Sequence, residues 1–167
     1  VYEKFEKLFV DFMSKKKMGD PLDEKNDLGP QASIQLRNEL HDQVLRSVKQ
    51  GAKLILGGKI PEMDGAYYPA TILKNVKPGM AAFDEELFGP VAALITAKNE
   101  DDAILLANKS IFGLGASVFT KDLNRGECIA KEKLNAGCCF VNDSVKSDPR
   151  LPFGGIKESG YGRELSP

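Results

Sequence analysis

The chain contains no tryptophan, a single histidine and three cysteines. One imidazole leaves little room for a Ser-His-Asp or Cys-His arrangement, since His41 stands on a predicted helix face among charged residues. An odd number of cysteines, two of them adjacent at 138 and 139, makes no disulfide framework. Cys138 and Cys139 alternate across a predicted strand and Cys128 lies in a predicted helix. None has the spacing of a metal site, and all three read as small packed side chains. Gly57-Gly58-Lys59 and Gly154-Gly155-Ile156-Lys157 lack the rest of a phosphate-binding loop, and no G-x-G-x-x-G joins a strand to a helix. No apolar run approaches the ~20 residues that span a bilayer. The first fifteen residues are charged throughout, unlike a secretory signal, so a reducing cytoplasm is the expected compartment. Nor is there an excess of either charge: 23 Lys and Arg face 24 Asp and Glu, interspersed, for a net charge of −1. That balance argues against a nucleic-acid or anionic-membrane surface.

What remains is an ordinary globular composition, 42% apolar and 28% charged over 167 residues. That length makes one domain or a large part of one, burying roughly 70% of its unfolded surface. Tyr2, Phe5, Leu8, Phe9, Phe12 and Met13 recur at helical spacing, so a helix over 2–17 closing on Lys15-Lys16-Lys17 is expected. A turn-rich stretch fills 20–33. A second helix, 34–50, places Leu36, Leu40, Val44, Leu45 and Val48 inward. Short strands are expected at 53–56 and 67–73.

From residue 91 the pattern is β-α-β-α-β: strand 91–97, helix 100–108 capped by Asn99 with Asp102 as its capping-box partner, strand 115–119, helix 123–134 capped by Asp122, and strand 138–141. Continuously apolar strands joined by helices imply parallel pairing with both faces covered. The expected class is α/β, a three-layer α-β-α architecture with a mostly parallel sheet. The chain opens at Val1 in a helix without a cap and stops just beyond a glycine-rich loop, so it reads as a piece of a longer chain.

Two segments carry chemistry. In Asp84-Glu85-Glu86-Leu87-Phe88-Gly89-Pro90, three carboxylates lead through an apolar pair into a turn before a buried strand. A carboxylate with an aromatic ring two residues on suits a polar, flat ligand; the plainer reading is an acidic loop with one anchoring ring. The stretch 142–164 leaves the carboxyl end of a strand, where ligands of open parallel sheets bind. It offers Asn142, Ser144, Lys146, Ser147 and Arg150, then a tight turn presenting Phe153. A surface loop without a ligand is the alternative.

EELFGPV at 85–91, NEDDAILLANKSIFGLGASVFTKDLNR at 99–125, AGCCFVND at 136–143 and LPFGGIKESGYGRE at 151–164 resemble the aldehyde dehydrogenase superfamily, in order over essentially the whole chain. The KSDPRLPFGG form of the last loop is most similar to NAD(P)-dependent succinate-semialdehyde dehydrogenases. The resemblance implies an aldehyde substrate, NAD or NADP as cofactor, attack by a cysteine thiolate, and hydrolysis of the thioester by a glutamate-activated water. It implies that Glu86 holds the nicotinamide ribose hydroxyls and that Phe88 packs near the nicotinamide ring. Phe153 would line the aldehyde tunnel, and Ser147 would hydrogen-bond the far carboxylate of succinate semialdehyde. Lys146 or Arg150 adding charge there is an inference from position, not from the resemblance.

The family's nucleophilic cysteine, general-base glutamate and dinucleotide-binding domain match nothing in 1–167, and no cysteine here occupies the nucleophile's place. The expectation is therefore the C-terminal part of a catalytic domain, catalytically silent alone, with the upstream part of its own chain as first partner and a homo-oligomer when whole. A non-catalytic α/β interaction or assembly module remains the alternative. An acyl-transferring or phosphate-reductase relative on the same scaffold is a weaker one.

Overall fold

The structure is a computed structural model that describes residues 1–165. Helix α1 (Tyr2–Met13) stops four residues short of the expected Lys17. Asp27 accounts for the difference. Its carboxylate takes the Lys16 ammonium at 2.7 Å and the Lys17 amide at 2.9 Å, drawing both out of helical geometry. Lys15 and Lys16 instead close tight turns onto the Phe12 and Met13 carbonyls. An ion pair at 2.7 Å between Glu6 and Lys74 ties α1 to the strand that carries Lys74.

Helix α2 (Ile34–Lys49) starts at Ser33, whose hydroxyl accepts the Leu36 amide at 3.1 Å. It buries Leu40, Val44 and Ser47, whereas Leu36, Leu45 and Val48, expected inward, are exposed. A narrow stripe at 40, 44 and 47 faces the core, and its third member is polar because a backbone amide waits there. β1 (Lys53–Leu56) runs antiparallel to β2 (Thr71–Lys74), and β2 runs parallel to β3 (Val91–Leu94) with Thr71 opposite Val91 and Lys74 opposite Leu94. Central β2 is buried through Thr71, Ile72 and Leu73, and packs with Tyr68, Val76, Ala82 and the α2 stripe. The β2–β3 crossover contains a one-turn helix, α3 (Ala81–Asp84), too short to leave a periodic signal.

The chain divides into two compact units, one from Val1 to Thr96 and one beginning at Ala97, with no Pro/Gly/Ser-rich linker at the division. In the second unit α4 (Glu100–Asn108) is capped as expected by Asn99, which accepts the Asp102 amide at 2.9 Å. Asp102 reaches back to the Lys98 amide at 2.9 Å, one residue beyond the usual capping-box partner. β4 (Phe112–Gly113) and β5 (Gly115–Val118) follow. Helix α5 (Leu123–Cys128) is capped by Asp122 and loosens over Ile129–Lys133 into a π turn, closed by Leu134 N–H on the Ile129 carbonyl at 3.0 Å. The Asn108 amide donates to the Lys133 carbonyl and accepts the Asn135 N–H, both at 2.7 Å, so one side chain terminates that turn. β6 (Cys138–Val141) pairs parallel with β5, and β7 (Ile156–Lys157) pairs antiparallel with β4.

The described strands form three sheets, β1-β2-β3, β4-β7 and β5-β6. Of the parallel run expected from residue 91, β5 and β6 pair in parallel as expected, whereas β3 pairs in parallel with β2, which precedes the run. Among the described residues no helix is long and apolar enough to cross a membrane.

Candidate functional site

In the first unit the segment after α3 separates two adjacent carboxylates. Glu85 is gripped by Arg46 of α2, with guanidinium nitrogens 2.5 and 2.7 Å from its two oxygens. Arg46 is itself steadied by Asp42 at 2.6 Å. Gln43 donates to Glu85 at 3.1 Å and to the Glu86 backbone carbonyl at 3.0 Å. The Arg46 fork, helped by Gln43, holds the Glu85 carboxyl down to about 2 and pushes the guanidinium pKa up in turn. Glu86 has no such partner among the described residues: its side chain is exposed, and only its backbone is held. Phe88 is 70% exposed. Gly89 lies against a Leu40 methyl, which a Cβ at this position would have to push aside. Pro90 then offers its carbonyl to the Thr71 amide at 2.9 Å and so starts the β2–β3 pairing.

In the second unit the segment after β6 is rooted by Asn142, whose amide accepts from the Thr120 N–H and donates to the Thr120 carbonyl, both at 2.8 Å. Ser147 is exposed and its hydroxyl makes no hydrogen bond among the described residues. The neighbouring cations are spoken for: Lys146 pairs with Asp143 at 2.5 Å and Arg150 with Asp148 at 2.6 Å. These pairs hold both carboxyls below the usual carboxylate range. Phe153 is half-buried, its backbone bridged to Glu164 at 2.8 and 2.9 Å. Much of the same motif turns to construction. The Lys157 ammonium caps the end of α4 on the Asn108 and Ser110 carbonyls at 2.9 Å, and the Ser159 hydroxyl accepts the Gly113 amide at 3.0 Å. Arg163 donates to the Gly155 and Gly162 carbonyls. Thus Glu86 and Phe88 stand together in one unit, and Ser147 and Phe153 in the other.

The cysteines divide differently from expectation. Cys128 is exposed, with its thiol 3.8 Å from Glu132, rather than packed. Cys138 and Cys139 are half-buried, and burial pushes both thiols up, away from the thiolate a nucleophile needs. His41 is not on a charged surface. It is half-buried with Nδ1 3.0 Å from the hydroxyl of fully buried Tyr68. Gln43 and Arg46 escaped the sequence reading because their partner lies 39 to 43 residues away. The available signal was a polar face, at 43, 46, 47 and 50, on a helix otherwise read from its leucines and valines.

Known proteins resemble the chain over nearly its whole length. The chain is 51% identical over 162 residues to the succinate semialdehyde dehydrogenase (NAD(P)+) Sad of Escherichia coli K12, covering 97% of this chain and 35% of that protein. It is 46% identical over 148 residues to the succinate-semialdehyde dehydrogenase (NADP+) of Deinococcus radiodurans, covering 89% of this chain and 31% of that one. The crystal structure of succinic semialdehyde dehydrogenase from Streptococcus pyogenes in complex with NADP+ superposes with a TM-score of 0.94 at 36% identity, over 99% of this chain and 36% of that structure. The chain thus spans about a third of the length of the relatives it matches. The profile of the aldehyde dehydrogenase family matches residues 1–167, and the chain belongs to that family.

Proposed function

We propose that this chain supplies the C-terminal third of the catalytic apparatus of an NAD(P)-dependent aldehyde dehydrogenase acting on succinate semialdehyde. The observation that carries the reading is the contrast within 85–88: Glu85 is neutralised by Arg46, while the Glu86 carboxylate and Phe88 ring are exposed and unclaimed among the described residues. An ionised carboxylate with free lone pairs fits the vicinal hydroxyls of a ribose, and an exposed ring fits the flat face of a nicotinamide. When bound, the nucleotide supplies the acceptor for the electron pair leaving the aldehyde carbon. Glu86 orients it through the ribose and Phe88 excludes water beside the ring. The Ser147 hydroxyl donates to the distal carboxylate of the substrate, and Phe153 flanks the aldehyde chain. Lys146 and Arg150 face Asp143 and Asp148 at the surface, so the Ser147 hydroxyl is the neighbouring group left without a partner among the described residues. The nucleophilic cysteine, the base that activates water against the thioester, and the dinucleotide-binding domain are assigned to the upstream part of the longer chain. That assembly is expected to be a cytoplasmic homo-oligomer.

Two assays test this. The 167-residue chain alone, with succinate semialdehyde and either nucleotide, is expected to give no reduced-nicotinamide absorbance above blank. Replacing the matching third of the Escherichia coli relative by residues 1–167 is expected to leave an enzyme that oxidises succinate semialdehyde. A folded hybrid with no turnover on any aldehyde, or an active isolated chain, would overturn the proposal.

A further inference from the structure

We propose that helix α2 is the positioning element for residues 85–88, with Gln43 and Arg46 as the positioning residues that fix how Glu86 and Phe88 are presented. The inference rests on reading those two as cofactor-facing.

The side chains of α2 engage the segment 79–89 rung by rung, in reverse order. Gln50 accepts the Ala81 amide at 2.8 Å and donates to the Gly79 carbonyl at 3.3 Å. Ser47 accepts the Ala82 amide at 2.8 Å while its own proton goes to the Gln43 carbonyl at 2.7 Å. Arg46 forks on Glu85, Gln43 bridges Glu85 and the Glu86 carbonyl, and Leu40 receives Gly89. Positions 40, 43, 47 and 50 recur at three and four residues, so they lie along one side of the helix.

The rungs hold backbone at 79, 81, 82, 86 and 89 and the side chain at 85. They pass over the two side chains the proposed function needs. A helix serving only as packing would take apolar residues on this stripe. Instead it spends a serine, two amides and a guanidinium on one neighbour, and Ser47 is fully buried to do so. A group that must meet a diol has to be held within about 0.5 Å of its working position. An exposed loop of four residues achieves that only against a rigid support.

In the hybrid enzyme, with any tryptophan outside residues 1–167 replaced, Phe88→Trp gives a single reporter at the site, because residues 1–167 contain no tryptophan of their own. In that background, native far-UV dichroism with a lower indole order parameter is expected for Gln43→Leu/Arg46→Met. Lys49→Met, on the same helix, is the control and should leave it unchanged. Measured far below the urea midpoint, a loss of stability alone does not move this readout. An unchanged indole order in the double variant overturns the inference.

In the hybrid enzyme, with Phe88 intact, Arg46→Met is expected to raise KM for the nucleotide roughly ten- to hundredfold, the scale of ångström-level misplacement. KM for the aldehyde should stay within about twofold, and Arg46→Lys should recover part of the loss. Equal changes in both KM values overturn positioning in favour of a general structural role. Glu86→Gln tests the underlying reading separately: an unaltered nucleotide KM there removes the cofactor assignment, while the indole measurement still decides the clamp.

Discussion

A carboxylate held by both arms of a guanidinium stays ionised well into acid, and Glu85 is such a group, brought to about 2 chiefly by Arg46. Its pKa is depressed on folding from an ordinary 4.5, so its contribution is fully present above about 4.5 and is lost as pH falls through about 2. Order at residues 85–88 should therefore persist at pH 5, fail between about 4.5 and 2, and lose this acid transition in Glu85→Gln; amide relaxation against pH checks it. The Tyr68–His41 pair acts at the opposite extreme. Burial pushes the Tyr68 phenol up to about 12 from an ordinary 10, so its contribution holds below pH 10 and disappears as pH rises through 12. Tyr68→Phe should cost about 1–2 kcal/mol at neutral pH by stranding the imidazole nitrogen, and should flatten that part of the alkaline loss of stability in urea titrations. At Ser147 the interaction at stake is one hydrogen bond to a charged group. Ser147→Ala in the hybrid enzyme should raise KM for succinate semialdehyde roughly ten- to hundredfold, leaving an uncharged aldehyde of similar length unaffected. Equal effects on both substrates would remove Ser147 from the site.

Among the elements, the helix starts were legible because caps are local. Asn99 before Glu100 and Asp122 before Leu123 each satisfy an amide three residues on, as does Ser33 before Ile34, a cap not among the expected ones. Helix ends were less so, since distant side chains decide them: Asp27 unwinds α1 after Met13, and Asn108 stops the π turn at Lys133. The two-residue strands β4 and β7 carry no periodic signal at all. They exist because Lys157 and Ser159 lock onto 108–113. That junction is sensitive to a single methyl. A Cβ on Gly137 would run into the Gly154 backbone carbonyl, which has no rotamer to yield. Gly137→Ala should therefore destabilise the second unit by about 3 kcal/mol or more and disturb the Phe153 turn, measurable as a lowered urea midpoint. Gly89→Ala meets the movable end of Leu40 and should cost less.

Over the whole chain, both candidate motifs stand out in the sequence, because each packs unusual residues into a short run. What periodicity could not reveal is which of their members build the fold. Glu85, Lys157 and Arg163 turned out to hold the fold, and α2 hid a polar stripe behind its leucines. A second feature at this scale is the number of large apolar side chains left in water. Phe5, Leu8 and Phe12 on α1, Ile34 and Leu45 on α2, and Phe119 and Leu123 in the second unit are all more than half exposed. If the remaining two thirds of an aldehyde dehydrogenase covers them, the 167-residue chain alone should bind hydrophobic dye and self-associate at micromolar concentration. The hybrid enzyme should not bind the dye; sedimentation velocity and dye titration distinguish the two.

The ladder between α2 and the 79–89 segment also has an order in time. Arg46 precedes Glu85 by 39 residues, so at about 5–20 residues per second the ribosome delivers the helix some 2–8 s before its client. Helix formation takes on the order of a microsecond. The acidic segment is therefore the last part of this ladder to be synthesised, after the helix and after the β2 strand on which that helix packs.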